Sequence, residues 1–295
     1  MRKDERMFFM AIIMAVFVFG AIGCQTEHPY ITITVKPDRT QVIPGEPIEL
    51  HFQFKIDADF KGIPYNGYVF VHFYDPLGNQ AFVADHLPAK PTSEWKAGET
   101  VEYDHLVFVP DYIYPGEYQI VAGIYDFEGV HDRIPMRGEA TGHRAYHVAD
   151  LEVLPPPPYP NVRYVDGWYE PELNPNDPTQ RWRWTQKRAV ALLVNPKRKS
   201  RLFIEVESNK DVFDDHPQEL TLTLNGKEFD RFKLDQAGPQ LKIYTLSPDQ
   251  LGDGDNVELV LELDQTFVPA KVGLGQDDRE LGIRIYHLVL QPIVQ

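Results

Sequence analysis

The chain has 295 residues, 43% hydrophobic and 12% aromatic, which argues against disorder and is long enough for one to three separate cores. Its formal net charge is −15, with 9 basic against 20 acidic side chains over residues 25–158 and 17 against 22 over residues 159–295. Nucleic-acid affinity rests on local positive charge, so no nucleic-acid partner is expected, and a single cysteine excludes an intrachain disulfide.

Residues 1–24 do not read as part of a fold. Arg2, Lys3 and Arg6 make a basic start, diluted by Asp4 and Glu5, and Met7 to Ile22 carries no charge. That apolar run is short for a stable membrane span and has the size of a signal segment. It ends in Ala21-Ile22-Gly23-Cys24, with the only cysteine directly after a small residue. This boundary resembles the bacterial lipobox, although Ala21 departs from the usual leucine. The resemblance implies cleavage before Cys24, lipidation of Cys24, and a membrane partner held through that lipid. The alternative is an uncleaved anchor helix. Either arrangement leaves everything beyond residue 24 outside the cytoplasm, as a component of a bacterial cell envelope.

Residues 28–154 read as strands. Tyr30–Val35 alternates, and Ile48, Leu50, Phe52, Phe54 and Ile56 repeat with a period of two, which puts all five on one face. Tyr68, Phe70, His72 and Tyr74 share a face opposite Val69, Val71 and Phe73. Turn chemistry at Asp75–Asn79, Lys96–Glu99 and Tyr114-Pro115-Gly116 separates strands at Gln80–Val83, Thr100–Val109 and Glu117–Asp126. A polar loop is expected over Glu128–Gly142 and a closing strand over His143–Leu154. Short strands with Pro-Gly turns and no helical period predict a β-sandwich.

Five prolines lie among the six residues 155–160. Proline fixes φ and lacks a donor, so this stretch is expected to be a stiff polyproline II joint. Beyond it, residues 161–295 open with a loop dense in aromatic and charged residues, Asp166–Trp184. Strands are predicted at Ala189–Val194, Arg201–Glu207, Leu220–Leu224, Glu228–Leu234, Leu241–Leu246, Val257–Leu263 and Gly282–Leu290, with an Asn225-Gly226 hairpin. A jelly roll or similar double sheet accommodates that many short strands. The expected fold class is therefore all-β, two β-sandwich domains, the first immunoglobulin-like and the second jelly-roll-like.

Three stretches carry candidate chemistry. The first is the Asp166–Trp184 loop, where Trp168, Tyr169, Trp182 and Trp184 are interleaved with Glu170, Glu172, Arg181 and Arg183. Aromatic faces beside charged hydrogen-bonding groups are what a glycan groove requires. Alternation sets Arg181 and Arg183 on one face and Trp182 and Trp184 on the other, which favours burial of those two tryptophans. Trp168 and Tyr169 are adjacent and point apart, so one of them is expected at the surface. The second stretch is Asp277, Asp278 and Arg279, which either shape a site beside the aromatic loop or, as an Asp278–Arg279 ion pair, pin it. The third is the acidic turn with Asp253, Asp255 and Glu258. Its oxygens suit Ca²⁺, but it lacks the EF-hand spacing, and a solvated hairpin turn is the alternative.

No catalytic residues and no cofactor are expected. There is no nucleophile elbow and no glycine-rich phosphate loop, and His143 and His147 do not have zinc spacing on a helix. Glu170 and Glu172, same-face carboxylates of one loop, do not by themselves straddle a glycosidic bond, and a carbohydrate-active enzyme completed by other acidic residues is the alternative.

In order, Gly167-Trp168-Tyr169 with Glu170 or Glu172, Arg181-Trp182-Arg183-Trp184, Asn225-Gly226, Phe267-Val268-Pro269 and Asp278-Arg279-Glu280-Leu281-Gly282-Ile283 resemble a β-sandwich accessory module. That module accompanies bacterial glycosyltransferases and methyltransferases of cell-surface polysaccharide synthesis. The similarity covers roughly residues 165–292. Val71-His72-Phe73, Asp85-His86, Trp95-Lys96-Ala97-Gly98 and Tyr114–Tyr118 resemble an extracytoplasmic immunoglobulin-like domain. The resemblance implies a glycan-related setting and no established reaction, and the catalytic domain that such modules accompany is not read in this sequence. The expectation is a non-catalytic envelope lipoprotein that binds a surface polysaccharide or docks on its machinery. The alternative is an envelope protein as partner, with the aromatics serving as a protein–protein hot spot.

Overall fold

The computed structural model describes residues 28–294. The expected signal segment and the expected lipidation site, Cys24, lie outside the described residues. Strands make up 52% and helix 5%, and the all-β class holds. No described helix is long and apolar enough to cross a membrane.

The N-terminal part comprises β1 (Ile31–Pro37), β2 (Gln41–Val42), β3 (Pro47–Ile56), β4 (Tyr68–Tyr74), β5 (Gln80–Val83), β6 (Thr100–Phe108), β7 (Gly116–Tyr125), β8 (Met136–Arg137), β9 (Glu139–Gly142) and β10 (Ala145–Val153). One sheet runs β6-β3-β1-β8, and the facing sheet runs β2-β10-β7-β4-β5 with β9 on β10. The period of two in β3 works as expected. Ile48, Leu50, Phe52, Phe54 and Ile56 are buried and meet Val69, Val71 and Phe73 of β4 in one core. Each such side chain contributes about 1.5–3 kcal/mol of burial.

Two local expectations are corrected. The stretch 128–142 is not all loop, because β8 adds to β1 in parallel and β9 pairs with β10. The last strand starts at Ala145, since His143 and Arg144 adopt positive φ and form the turn that joins β9 to β10. Phe70 is also buried although it points away from the core. It lies across Gly123, where a Cβ would come within 2.4 Å of the ring, and the Arg133 guanidinium covers it at 4.3 Å.

The C-terminal part comprises β11 (Val162–Trp168), β12 (Glu172–Asn174), β13 (Asp177–Val194), β14 (Ser200–Glu207), β15 (Glu219–Leu224), β16 (Lys227–Lys233), β17 (Gln240–Leu246), β18 (Asn256–Leu263) and β19 (Arg284–Pro292), with one-turn helices α1 (Lys210–Phe213) and α2 (Pro248–Leu251). The two layers belong to one curled sheet, ordered β16-β15-β18-β13-β19-β14-β17. The long β13 makes the corner. Its second half, Arg188–Val194, pairs with β18, and Arg183 and Trp184 pair with β19.

The aromatic stretch is therefore strand rather than loop. Asn174 accepts the amide of Asn176 at 3.0 Å and closes a tight turn, so β12 folds back onto Arg181 and Trp182. The Asn225-Gly226 hairpin has positive φ at both residues, the geometry that two-residue loops require.

The proline run forms no strand. The strands on its two sides touch directly. Phe108 stacks on His287 at 3.8 Å. Arg201 pairs with Glu49 at 2.9 Å, and buried Gln291 donates to the Pro47 carbonyl at 3.1 Å. Strand β19 thus lies along the junction.

Candidate functional site

The candidate residues separate into three groups once folded. Trp168 follows Gly167, which takes φ of +74° at a bulge between β11 and β13. A bulge re-aims the next side chain. Here it turns Trp168 against the C-terminal core, with its indole Nε1 donating to the Val190 carbonyl at 2.8 Å. Tyr169 points the other way, but its hydroxyl donates to the Glu280 carbonyl at 3.0 Å. The two do point apart, yet each is half-buried and held, so neither is the freely exposed platform expected of one of them.

Tyr169 belongs to the second group, with Glu172, Asp277 and Arg279. Arg279 donates to Glu172 at 2.7 Å and to Asp277 at 2.6 Å, and its guanidinium sits 5.0 Å from the Tyr169 ring. The Arg279 guanidinium beside Asp277 holds that carboxyl below its usual range, and Asp277 in turn raises the arginine. The two distant segments do adjoin, but the ion pair is made by Asp277 and Glu172. Asp278 is exposed and takes no part in it. Arg183 donates to the Tyr169 carbonyl at 3.0 Å and covers the Tyr164 ring at 4.5 Å. Glu170 is 3.9 Å from Arg183, with 98% of its side chain exposed.

On the opposite face of β13, Trp184 is buried and Trp182 half-buried. Arg284 lies over both rings, at 5.1 and 4.8 Å, and donates to Glu207 at 2.8 Å. The Trp182 Nε1 and Arg284 Nε atoms have no hydrogen-bond partner among the described residues. Cation–π contact with two indoles offsets part of that cost. These tryptophans are structural.

The third group is Arg181 alone. It crosses to the N-terminal part and pairs with Asp111 at 2.9 Å, at the mouth of a cleft of about 420 Å³ between the two parts. Tyr112, Tyr164 and Tyr286 line this cleft with Arg181, Asp177 and Gln180. Tyr112 is 43% exposed. Burial raises the phenol of Tyr112, and Asp177 and Asp111 raise it further. Burial also raises Tyr164, and pushes Tyr286 up to about 12 with help from the Glu207 carboxylate, to which its hydroxyl donates at 2.5 Å. All three hydroxyls are protonated at neutral pH. Tyr112 offers its ring and a neutral hydroxyl beside the Arg181–Asp111 pair, whereas the Tyr286 hydroxyl is taken by Glu207 and the Tyr164 ring is covered by Arg183.

The tyrosines of this cleft escaped the sequence reading. They come from the loop after β6, from β11 and from β19, and no local pattern relates those segments. The acidic turn does not assemble a metal centre. Among the described residues no three His, Cys, Asp or Glu side chains come together to hold an ion, and Asp255 is paired with Lys197 at 2.9 Å. Asp253 and Glu258 are exposed. Buried Asn195 donates to the Gly252 and Gly254 carbonyls, both at 2.8 Å, which fixes that turn.

No family model matches the chain, and no curated protein matches it. Among solved structures it is similar to the alkylpurine DNA glycosylase AlkC of Pseudomonas fluorescens, at 17% identity and a TM-score of 0.28, over 42% of this chain and 30% of that one. A CARDB domain from Pyrococcus furiosus matches at 18% identity and a TM-score of 0.27, over 43% of this chain and 90% of that one. A carbohydrate-binding module of the β-sandwich superfamily matches at 9% identity and a TM-score of 0.27, over 90% of this chain and 99% of that one. At these identities and scores the likenesses carry no argument about what this chain binds.

Proposed function

We propose that this protein is a non-catalytic, lipid-anchored component of a bacterial envelope that binds carbohydrate in the cleft between its N- and C-terminal sandwiches. The observation that supports this reading is the convergence of Tyr112, Tyr164 and Tyr286 with Arg181, Asp177 and Gln180 around about 420 Å³. That volume falls in the range of small-molecule sites, roughly 300–1,000 Å³, which favour boundaries between folded units. Pyranose rings offer apolar C–H faces for the exposed Tyr112 ring and hydroxyls for the amide and charged rim. The envelope location rests on the boundary at Cys24.

The test is a glycan array probed with the full chain in detergent, followed by titration of the best hit against Tyr112→Ala. Tyr112 is 43% exposed, so the substitution is expected to weaken binding about tenfold, some 1.4 kcal/mol, without lowering Tm. An array without hits, together with specific capture of another envelope protein, overturns the carbohydrate reading in favour of a scaffold. For the anchor, Cys24→Ala is expected to leave the chain unprocessed or release it from the membrane fraction. Identical migration and fractionation would indicate an uncleaved helix instead.

A further inference from the structure

A second cleft, of about 870 Å³, opens on the other side of the junction and shares no lining residue with the tyrosine cleft. Its lining is mixed, with Val42, Ile43, Leu154, Val194, Leu290 and Ile293 beside Arg39, Gln41, Asn161 and Gln291. Its rim is built by the turn joining β13 to β14, where Lys197, Arg198 and Lys199 follow one another in a chain of net charge −15. The neighbouring cations are already used. Lys197 pairs with Asp255, Arg201 with Glu49 and Arg39 with Asp38, each at 2.9 Å. Arg198 and Lys199 both line the cleft, are exposed, and have no ion pair among the described residues.

Among the described residues the one carboxylate in the cleft lining, Glu46, is held by amides. Gln291 donates to it at 3.1 Å, and the Asn161 amide lies 3.5 Å away. The cleft thus combines aliphatic surface with two cations that make no ion pair and one amide-bound carboxylate, on a protein whose overall field repels anions. We infer that this junctional cleft binds an oxyanion-bearing ligand of sugar size, its ring lying on the aliphatic surface and its carboxylate or phosphate paired with Arg198 and Lys199.

Headgroups of the anchoring membrane do not fit this role. The cleft lies at the Arg39–Pro47 end of the N-terminal sandwich, whereas His28 and the start of β1 lie at the other, where Ile31 pairs with Ile56. A ten-residue strand such as β3 separates the two ends by about 33 Å. The inference is also independent of the tyrosine cleft, because the two differ in lining and in ligand charge.

The test is calorimetric titration of the full chain in detergent with trigalacturonic acid, its neutral methyl ester and inorganic phosphate, at low and high ionic strength. The acid is expected to bind and the ester not. Salt should weaken the binding, because exposed charge contacts are screened. The double substitution Arg198→Ala with Lys199→Ala is expected to weaken it about tenfold. Both side chains are on the surface, and an unchanged Tm shows that the fold is intact. Phosphate binding without uronate binding, with the same loss in the double variant, assigns the anion to a phosphorylated ligand. The proposal is overturned if neither anion binds, if the ester binds as well as the acid, or if the double variant binds unchanged. It is likewise overturned if Tyr112→Ala abolishes acid binding while the double variant retains it. That result places the anion in the tyrosine cleft.

Discussion

Acidification should destabilise the N-terminal sandwich through a pair of stacked histidines. His86 and His105 face each other at 3.6 Å between ring centroids, 15° from parallel. His86 Nδ1 donates to the Ala84 carbonyl at 3.1 Å, which leaves Nε2 to accept from the Tyr103 hydroxyl at 2.9 Å. Both imidazoles are lowered, chiefly by burial; His105 is pushed down from 6.5 to about 4, with His86 adding to the effect, whereas Asp85 opposes the shift of His86. A folded-state pKa below the unfolded one means that the unfolded chain binds more protons between the two values. Stability is therefore full above about pH 6.5 and falls as the pH drops toward 4. A shift of that size corresponds to about 3 kcal/mol for a fully shielded group. Solvent reaches these half-buried rings, so about 1–2 kcal/mol is expected for His105. The assay is urea unfolding of wild type and His105→Gln at several pH values between 7 and 4. Carboxylates such as Asp57 and Asp277 also lose stabilisation at the acid end, but they do so in both proteins, and the difference isolates the histidine. Wild type should lose about 1–2 kcal/mol more than His105→Gln across the window. Parallel pH profiles would refute the reasoning.

Two further outcomes follow from single residues. Gly167→Ala should destabilise by about 1–3 kcal/mol or more in thermal unfolding, because φ is +74° and the new Cβ would stand 1.8 Å from the Arg188 carbonyl oxygen. A smaller loss would mean that the bulge relaxes. Asn195→Ala should cost about 1–3 kcal/mol in urea unfolding, since it strips donors from the Gly252 and Gly254 carbonyls. Rescue of that variant by Ca²⁺ would contradict the structural account of the acidic turn.

The strand faces were legible before the structure. Ile48 to Ile56 and Val69 to Phe73 declare their buried sides because a strand alternates strictly, and that alternation is a local property of the backbone. Asn225-Gly226 likewise announces its turn through φ alone. The opposite faces of Arg181 and Trp182 were readable for the same reason. Their partners were not. Arg181 reaches Asp111, and Arg279 chooses Glu172 and Asp277 over adjacent Asp278, because charge pairing is settled by which strands the curled sheet brings side by side. The density of aromatic and charged residues around Trp168 looked like a binding surface in one dimension. In three dimensions most of those groups bind one another, through the bulge at Gly167 and the arginine–tryptophan stack on β13. The two clefts exist only because β19 runs along the junction of two sandwiches, with Tyr286–Val289 lining one and Leu290–Val294 the other. Sequence determines which residues face out of each strand. Only tertiary contact decides which of those faces remain open to a ligand, because that depends on segments far apart in the chain.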